Sequence, residues 1–188
     1  MKTTIYLTKM EIQSLSLDHY PMLILSDNLK SWVSKRIKQH THGQYNHAMW
    51  AIRPGWVASQ GLLYCEKSID EFLTDHHRLK LIGSLGWTPF QRNRIRNAVN
   101  VRLCGSVYRR SYDVLGILGQ AVRLRWINVP WRNYCSESAI QILSQILDTH
   151  ELGKHPSPAD IDRWVNVHPC KINILGIYDP TVSPLSGT

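Results

Sequence analysis

The sequence predicts an α+β fold in which an antiparallel sheet packs against helices, and three observations lead to this prediction. Hydrophobic residues make up 43% of the 188 residues, enough to bury one substantial core, so we expect a single domain over residues 1–188 with its core at about 21–178. Short apolar runs bounded by turn residues predict strands, two of them as a hairpin. Segments with apolar side chains at helical spacing predict amphipathic helices.

The first half of the chain carries most of the predicted strands. The apolar run Met22–Ser26 follows a proline and ends at turn-forming residues, as a buried strand does. Residues 29–39 repeat apolar side chains at helical spacing and predict an amphipathic helix. Two further segments are joined by a Pro-Gly pair, which is typical of a tight turn, and predict a hairpin of the strands His47–Arg53 and Trp56–Tyr64.

Helical and strand patterns alternate after the hairpin. Residues 67–74 predict a short helix, and residues 78–85 have the alternation of a strand. Thr88 is placed to cap a longer helix that has Pro89 in its first turn and runs to about Asn100.

The second half of the chain is mainly helical in pattern. The apolar, glycine-punctuated segment 111–122 predicts either one buried helix or a helix broken at its glycines. Another amphipathic helix begins at Cys135 and ends near Gly153. Ser157 is placed to cap a short helix, and residues 170–180 predict a late strand before a polar tail.

The charge balance favours anionic partners. Lys and Arg outnumber Asp and Glu by 22 to 14, so nucleic acid, acidic lipid and anionic cell-wall polymers are all attracted to the surface. The basic residues cluster at 30–38 and at 92–132, where solvated helical faces account for them without a ligand. Nucleic-acid binding is disfavoured, although the charge allows it, because no helix-turn-helix, zinc-finger or ribonucleoprotein signature accompanies the charge.

Cysteine spacing and hydropathy exclude several further classes. The four cysteines form no CxxC pair and no cluster, so we expect no metal site, no disulfide framework and no cofactor. The first thirteen residues lack the apolar core of a signal peptide, and no segment approaches the roughly 18 apolar residues of a membrane span. We therefore expect neither a signal peptide nor a membrane span, and a protein that is cytoplasmic or associated with a virion.

Cys135 is the strongest candidate nucleophile. At the start of a helix its thiol lies near unpaired backbone N–H groups and the positive end of the helix dipole, and both favour the thiolate. A free cysteine is nevertheless more often an inert packing residue, and we interpret Cys65, Cys104 and Cys170 in that way.

A thiol nucleophile needs an imidazole that accepts and returns its proton. His47 is the best candidate because it opens a predicted strand with apolar neighbours, where a rigid scaffold aims a side chain. His19 and His168 lie in segments that the pattern does not place. The other histidines lie in polar stretches typical of a solvated surface, namely His40, His42, His76, His77, His150 and His155.

Five segments in order, "YNHAMW", "WVASQG", "YDVLGILG", "NYCSES" and "HPSPADI", resemble the circularly permuted NlpC-type branch of papain-like cysteine hydrolases, which includes the YiiX-like and lecithin-retinol-acyltransferase-like proteins. The resemblance covers about residues 21–162. It implies a papain-like antiparallel sheet packed against helices, with the nucleophile Cys135 at a helix N-terminus and the base His47 earlier in the chain.

The resemblance also places a third catalytic residue twelve positions after the histidine, at Ser59, with Gln60 beside it. Which of the two points into the site depends on the strand phase. Neither is acidic, and a neutral acceptor stabilises an imidazolium less than a carboxylate does, so we expect a slow enzyme. The chain also has Met22 and Leu23 where the family has Gly-Asp.

Residues around the nucleophile complete the expected site. The backbone N–H of Cys135 is the natural donor to an oxyanion, with Tyr134 and Ser136 forming the pocket beside it. Glu137 matches a glutamate of the family and is expected to be structural, and Tyr45 is expected to be a core residue or a groove wall.

These residues predict a cysteine peptidase or amidase. By resemblance, the substrate is an amide in peptidoglycan stem peptides or a similar peptide, and the enzyme is intracellular or a phage-encoded cell-wall hydrolase with protein partners in a virion. Two alternatives stay open. One is a lipid acyltransferase or thioesterase that uses the same Cys-His pair, and the other is an inactive structural or binding module of a larger assembly.

Overall fold

A computed structural model describes residues 5–60, 63–83, 86–106, 135–153 and 155–182. The strands are β1 Met22–Asn28, β2 His47–Arg53, β3 Trp56–Gln60, β4 Tyr64–Ser68, β5 His77–Gly83 and β6 Asn173–Tyr178. The helices are α1 Lys9–Gln13, α2 Trp32–Thr41, α3 Pro89–Leu103, α4 Cys135–Leu143 and α5 Pro158–Val167. The predicted helix at 111–122 and Tyr134 lie outside the described residues.

The six strands form one antiparallel sheet in the order β4-β3-β2-β1-β5-β6. The central strand β1 is buried along almost its whole length, since helices or loops cover both sides of the sheet. The predicted α+β class, with an antiparallel sheet packed against helices, is therefore confirmed.

Alternating side chains divide the sheet into two faces. One, which we call the helical face, packs against buried residues of α3, α4 and α5; its members include Leu23, Leu25, Ala48, Trp50 and Ala58. The other, which we call the N-terminal face, packs against α1, Tyr20 and the segment that follows β4; its members include Met22, Ile24, Met49, Ala51, Val57, Leu79 and Leu81.

Local sequence signals explain where the elements start and turn. Thr88 and Ser157 both cap their helices through complete capping boxes, each with a proline in the first turn, as predicted. The hairpin between β2 and β3 turns at Gly55, whose positive φ of 78° favours glycine.

Two predicted elements are wrong in extent. The predicted strand Trp56–Tyr64 is interrupted: β3 ends at Gln60 and β4 begins at Tyr64. The predicted helix 67–74 overlaps the end of β4 and contains only a 3-10 turn at Ile69–Glu71, because pairing with β3 overrides the helix-forming composition.

The predicted helix that begins at Cys135 is also shorter than expected. It ends at Leu143 and not near Gly153. Ile146 and Leu147 continue the apolar spacing but reach the helical-face core from a turn, which explains why their periodicity resembled a longer helix.

Within the described ranges, no helix is both long enough and apolar enough to cross a membrane.

A buried carboxylate joins α2 to the central strand. Asp27 is fully buried on β1, where its Oδ1 accepts a hydrogen bond of 2.6 Å from Ser34 and its Oδ2 pairs with Lys38 Nζ at 2.6 Å. Both partners belong to α2. One carboxylate therefore fixes α2 against the end of β1 that lies beside His47.

We predict that Asp27→Ala lowers the free energy of unfolding by about 3 kcal/mol, because the buried Ser34 hydroxyl and the Lys38 ammonium lose their acceptor together. Chemical denaturation measures the change. The control is Asp75→Ala, which removes exposed pairs with Lys30 and His76 and is expected to cost much less than Asp27→Ala. Equal losses in the two variants would contradict a special role for Asp27.

Candidate functional site

The predicted pairing of His47 with a residue on the next strand is present. Met49 pairs with Ser59 in the register of β2 and β3, so His47 and Ser59 are diagonal neighbours on the N-terminal face. His47 Nε2 lies 2.9 Å from Ser59 Oγ. Gln60 is the next residue along β3, and strand alternation directs its side chain to the helical face. Ser59, of the two candidates, is thus the hydrogen-bonded partner of the imidazole.

The His47–Ser59 pair lines a pocket of about 220 Å³ at the end of the sheet where β1 finishes and β2 begins. The other lining residues are predominantly polar: Ser26 and Asn28 of β1, Asn46, Gln60 of β3, Lys67 of β4, Phe72, and His77 of β5. A concave pocket in which several polar side chains converge on a histidine is a candidate binding or catalytic site.

The environment of His47 disfavours its charged form. Burial is the larger cause and the positive charges of Lys67 and His77 add to it, lowering the pKa of His47 to about 4. The imidazole is therefore neutral near pH 7, and its Nε2 donates to the Ser59 oxygen or accepts the hydroxyl proton, according to the tautomer. A neutral ring is the form that a general base requires, although a low pKa weakens that base.

His77 and Lys67 were not predicted as site residues. His77 was assigned to a solvated surface because of its charged neighbours, but it opens β5 and turns into the pocket, with Nδ1 2.7 Å from Thr74 Oγ1. Burial and the nearby His76 lower the pKa of His77. The sequence signal that could have identified His77 as a pocket residue is the alternation of β5, which places His77 on the same face as Leu79 and Leu81.

Cys135 lies at the start of α4, as predicted, and only 4% of it is exposed. One turn later, the carbonyl of Ala139 accepts a hydrogen bond of 3.2 Å from Trp50 Nε1. Ala139 and Leu143 belong to the core on the helical face, and Cys135 precedes them on the same stripe of the helix. The helix that carries the thiol thus packs on the helical face of the sheet.

Strand phase places His47 and the helix that carries Cys135 on different faces of the sheet, and the predicted dyad of the two residues stays a prediction. His47 shares the phase of Met49 and Ala51, which point to the N-terminal face, while α4 covers the opposite side of the same strands. The physical reason is the two-residue period of a strand, since a shift of one residue would exchange the two faces. The order of the segments in the sequence does not determine that phase.

The remaining predicted residues belong to α4 or to the helical-face core. Ser136 and Glu137 are buried, and Glu137 Oε1 contacts His155 Nδ1, which ties α4 to the loop before α5. Tyr45 is buried in the helical-face core, and burial, followed by the carboxylate of Asp162, raises its pKa. In the part of the chain that the structure describes, no group of three or more His, Cys, Asp or Glu residues could hold a metal ion.

Comparison of the sequence with protein-family models and with curated proteins gives no match. The resemblance to permuted NlpC-type hydrolases therefore stays a prediction.

We predict that the ring protons of His47 titrate with a midpoint of about 4 in an NMR pH titration. Because this pKa is lower than the usual value of about 6.5 for an unfolded chain, the unfolded state binds the proton first as the pH falls. The free energy of unfolding therefore decreases as the pH drops from about 6.5 to about 4. His47→Gln assigns the resonances and should remove this part of the pH dependence.

The control for this titration is His77→Gln. Burial is the larger cause of the shift, so the midpoint of His47 should stay well below 6.5 in this variant. A midpoint near 6.5 in the unmodified protein would contradict the burial of the ring.

Proposed function

We propose that the protein is a cysteine peptidase or amidase in which Cys135 is the nucleophile and His47, oriented by Ser59, transfers the proton. The observation that carries the proposal is the 2.9 Å hydrogen bond between His47 and Ser59 across the β2–β3 hairpin. A neutral imidazole held by a second side chain is the base and orienter of a thiol hydrolase. The start of α4 supplies the nucleophile at a helix N-terminus.

The proposed reaction has two steps. His47 removes the proton of the Cys135 thiol, the sulfur attacks the amide carbonyl, and the leaving amine takes the proton back from the imidazole as the carbon–nitrogen bond breaks. Water, deprotonated by the same imidazole, then attacks the thioester and releases the acid and the thiol. The net charge of +8 suits an anionic substrate such as peptidoglycan, which a phage-encoded or virion-associated hydrolase would attack.

The proposal requires a second arrangement of the chain around Cys135. His47 is the first residue of β2 and Cys135 is the first residue of α4, so both reacting groups stand at the ends of their elements. The first turn of a helix lacks the intrahelical hydrogen bonds that hold its later N–H groups, but Cys135, Ser136 and Glu137 are buried, so unwinding this turn has to break their packing as well. Movement of that first turn around the end of β2 would bring the sulfur toward the pocket.

The position of α4 favours a second candidate function, a binding module without catalysis. A cysteine that is 4% exposed, on a helix that packs against the face opposite the imidazole, is typical of an inert packing residue. The pocket beside His47 would then bind a ligand without cleaving it. The acyltransferase or thioesterase alternative is less supported, because the lining is mainly polar and, among the described residues, Phe72 is its one hydrophobic side chain.

We predict that the wild-type protein releases fragments from peptidoglycan or muropeptides and that Cys135→Ala and His47→Gln lower the rate by at least about 100-fold. Ser59→Ala should cost less, about 10-fold, because it removes an orienting group and not the base. Mass spectrometry of the products, with a short acyl thioester as a parallel substrate, separates peptidase from lipid enzyme. The control is Cys104→Ala, which alters an exposed thiol and should leave the rate unchanged.

Disulfide cross-linking tests whether Cys135 can approach the position of His47. In a protein carrying His47→Cys with the other cysteines except Cys135 replaced by serine, mild oxidation should join positions 47 and 135, since a disulfide needs Cα atoms within about 7 Å. Arg53→Cys, at the far end of β2, is the matched control and should not cross-link. No cross-link together with no turnover would exclude the hydrolase and leave the binding module.

A further inference from the structure

The pocket beside His47 has an unbalanced charge. Lys67 and His77 both line it, from β4 and β5, and among the described residues that line it none is an acid. Three cations on α2 and β5 each pair with a carboxylate: Lys38 with Asp27, Lys80 with Asp162 and Arg78 with Asp179. The pocket therefore presents hydrogen-bond donors and positive charge to whatever enters it.

Lys67 is available to a ligand. Its ammonium lies 3.3 Å from Glu71, in a pair whose side chains are 35% and 53% exposed, and such surface pairs contribute little. Glu71 does not line the pocket. The charge of Lys67 acts at the imidazole of His47 and opposes its protonation, so the pair with Glu71 leaves positive potential inside the pocket.

The carboxylates near His77 are already paired with other cations. The ring of His76 lies 4.5 Å from that of His77, while Asp75 pairs with both His76 and Lys30 at the surface. Asp27 contributes from the other side of the sheet, where it is already paired with Lys38. Asp75 and Asp27 are thus engaged with other cations, whereas the partner of Lys67 is the exposed carboxylate of Glu71.

We propose that this pocket binds the carboxylate group of a small acid or of a peptide, with Lys67 as its cationic partner and His77 and Asn46 as neighbouring polar contacts. A volume of about 220 Å³ fits a carboxylate with a short side chain, and Phe72 supplies an apolar wall for that side chain. In the hydrolase, on which this role in substrate recognition rests, the carboxylate would mark substrates whose scissile amide lies near a free acid. Binding itself does not depend on turnover.

The test measures binding to Cys135→Ala by NMR, following the ring signals of His47 and His77. N-acetyl-alanine should shift both sets of signals, and its uncharged amide should not. Lys67→Gln should weaken binding of the acid by at least about tenfold, because a charge-assisted hydrogen bond is lost, and Lys67→Arg should retain it. The matched control is Lys30→Gln, which changes an exposed lysine outside the pocket and should leave the affinity unchanged.

Each outcome decides the proposal separately from the hydrolase. Equal binding of the acid and its amide, or an unchanged affinity in Lys67→Gln, overturns carboxylate recognition. Tighter binding of inorganic phosphate than of N-acetyl-alanine also overturns it, in favour of a phosphate site. Lysine-dependent binding of the acid supports the proposal even when the wild type cleaves nothing, a result that would remove the hydrolase alone.

Discussion

The phase of β2 is the constraint on which the rest of the site depends. Trp50 is 1% exposed, and its indole N–H donates to the carbonyl of Ala139 in α4. Truncating a buried tryptophan costs about 3–5 kcal/mol, so the orientation of Trp50 toward the helices is strongly favoured. Because side chains alternate along a strand, this one large residue sends His47 to the N-terminal face.

That phase divides the chemistry of the molecule between two sides of one sheet. The imidazole, its partner Ser59 and the cation Lys67 lie together around one pocket. The thiol of Cys135 belongs to a helix that packs on the other side, where the core is apolar and Glu137 is buried. Each part has the local form that a hydrolase needs, a neutral base with an orienter and a sulfur at a helix start. The proposed function adds the step that brings the imidazole and the thiol together.

The sequence predicted the parts of the fold that local rules control. Hairpin punctuation placed β2 correctly, capping residues placed the starts of α3 and α5, and the family resemblance offered Ser59 and Gln60 as partners of His47, of which Ser59 makes the hydrogen bond. Non-local pairing controls the rest: β4 forms because β3 offers it hydrogen bonds, although its composition resembles a helix. His77 and Lys67 were missed for the same reason, since their place in the pocket follows from strand order and phase.

The low pKa of His47 and the positive pocket have a common consequence for the proposed catalysis. An imidazole with a pKa of about 4 is a weak base, and the same desolvation and nearby cation that lower this pKa also disfavour the imidazolium formed during thiol attack. A carboxylate bound at Lys67 would neutralise that cation and raise the pKa of His47 toward neutrality, because an opposite charge within about 4–6 Å favours the charged form. In the proposed hydrolase, binding of an acidic substrate would thereby strengthen the base, so His47 would act best with a carboxylate beside it.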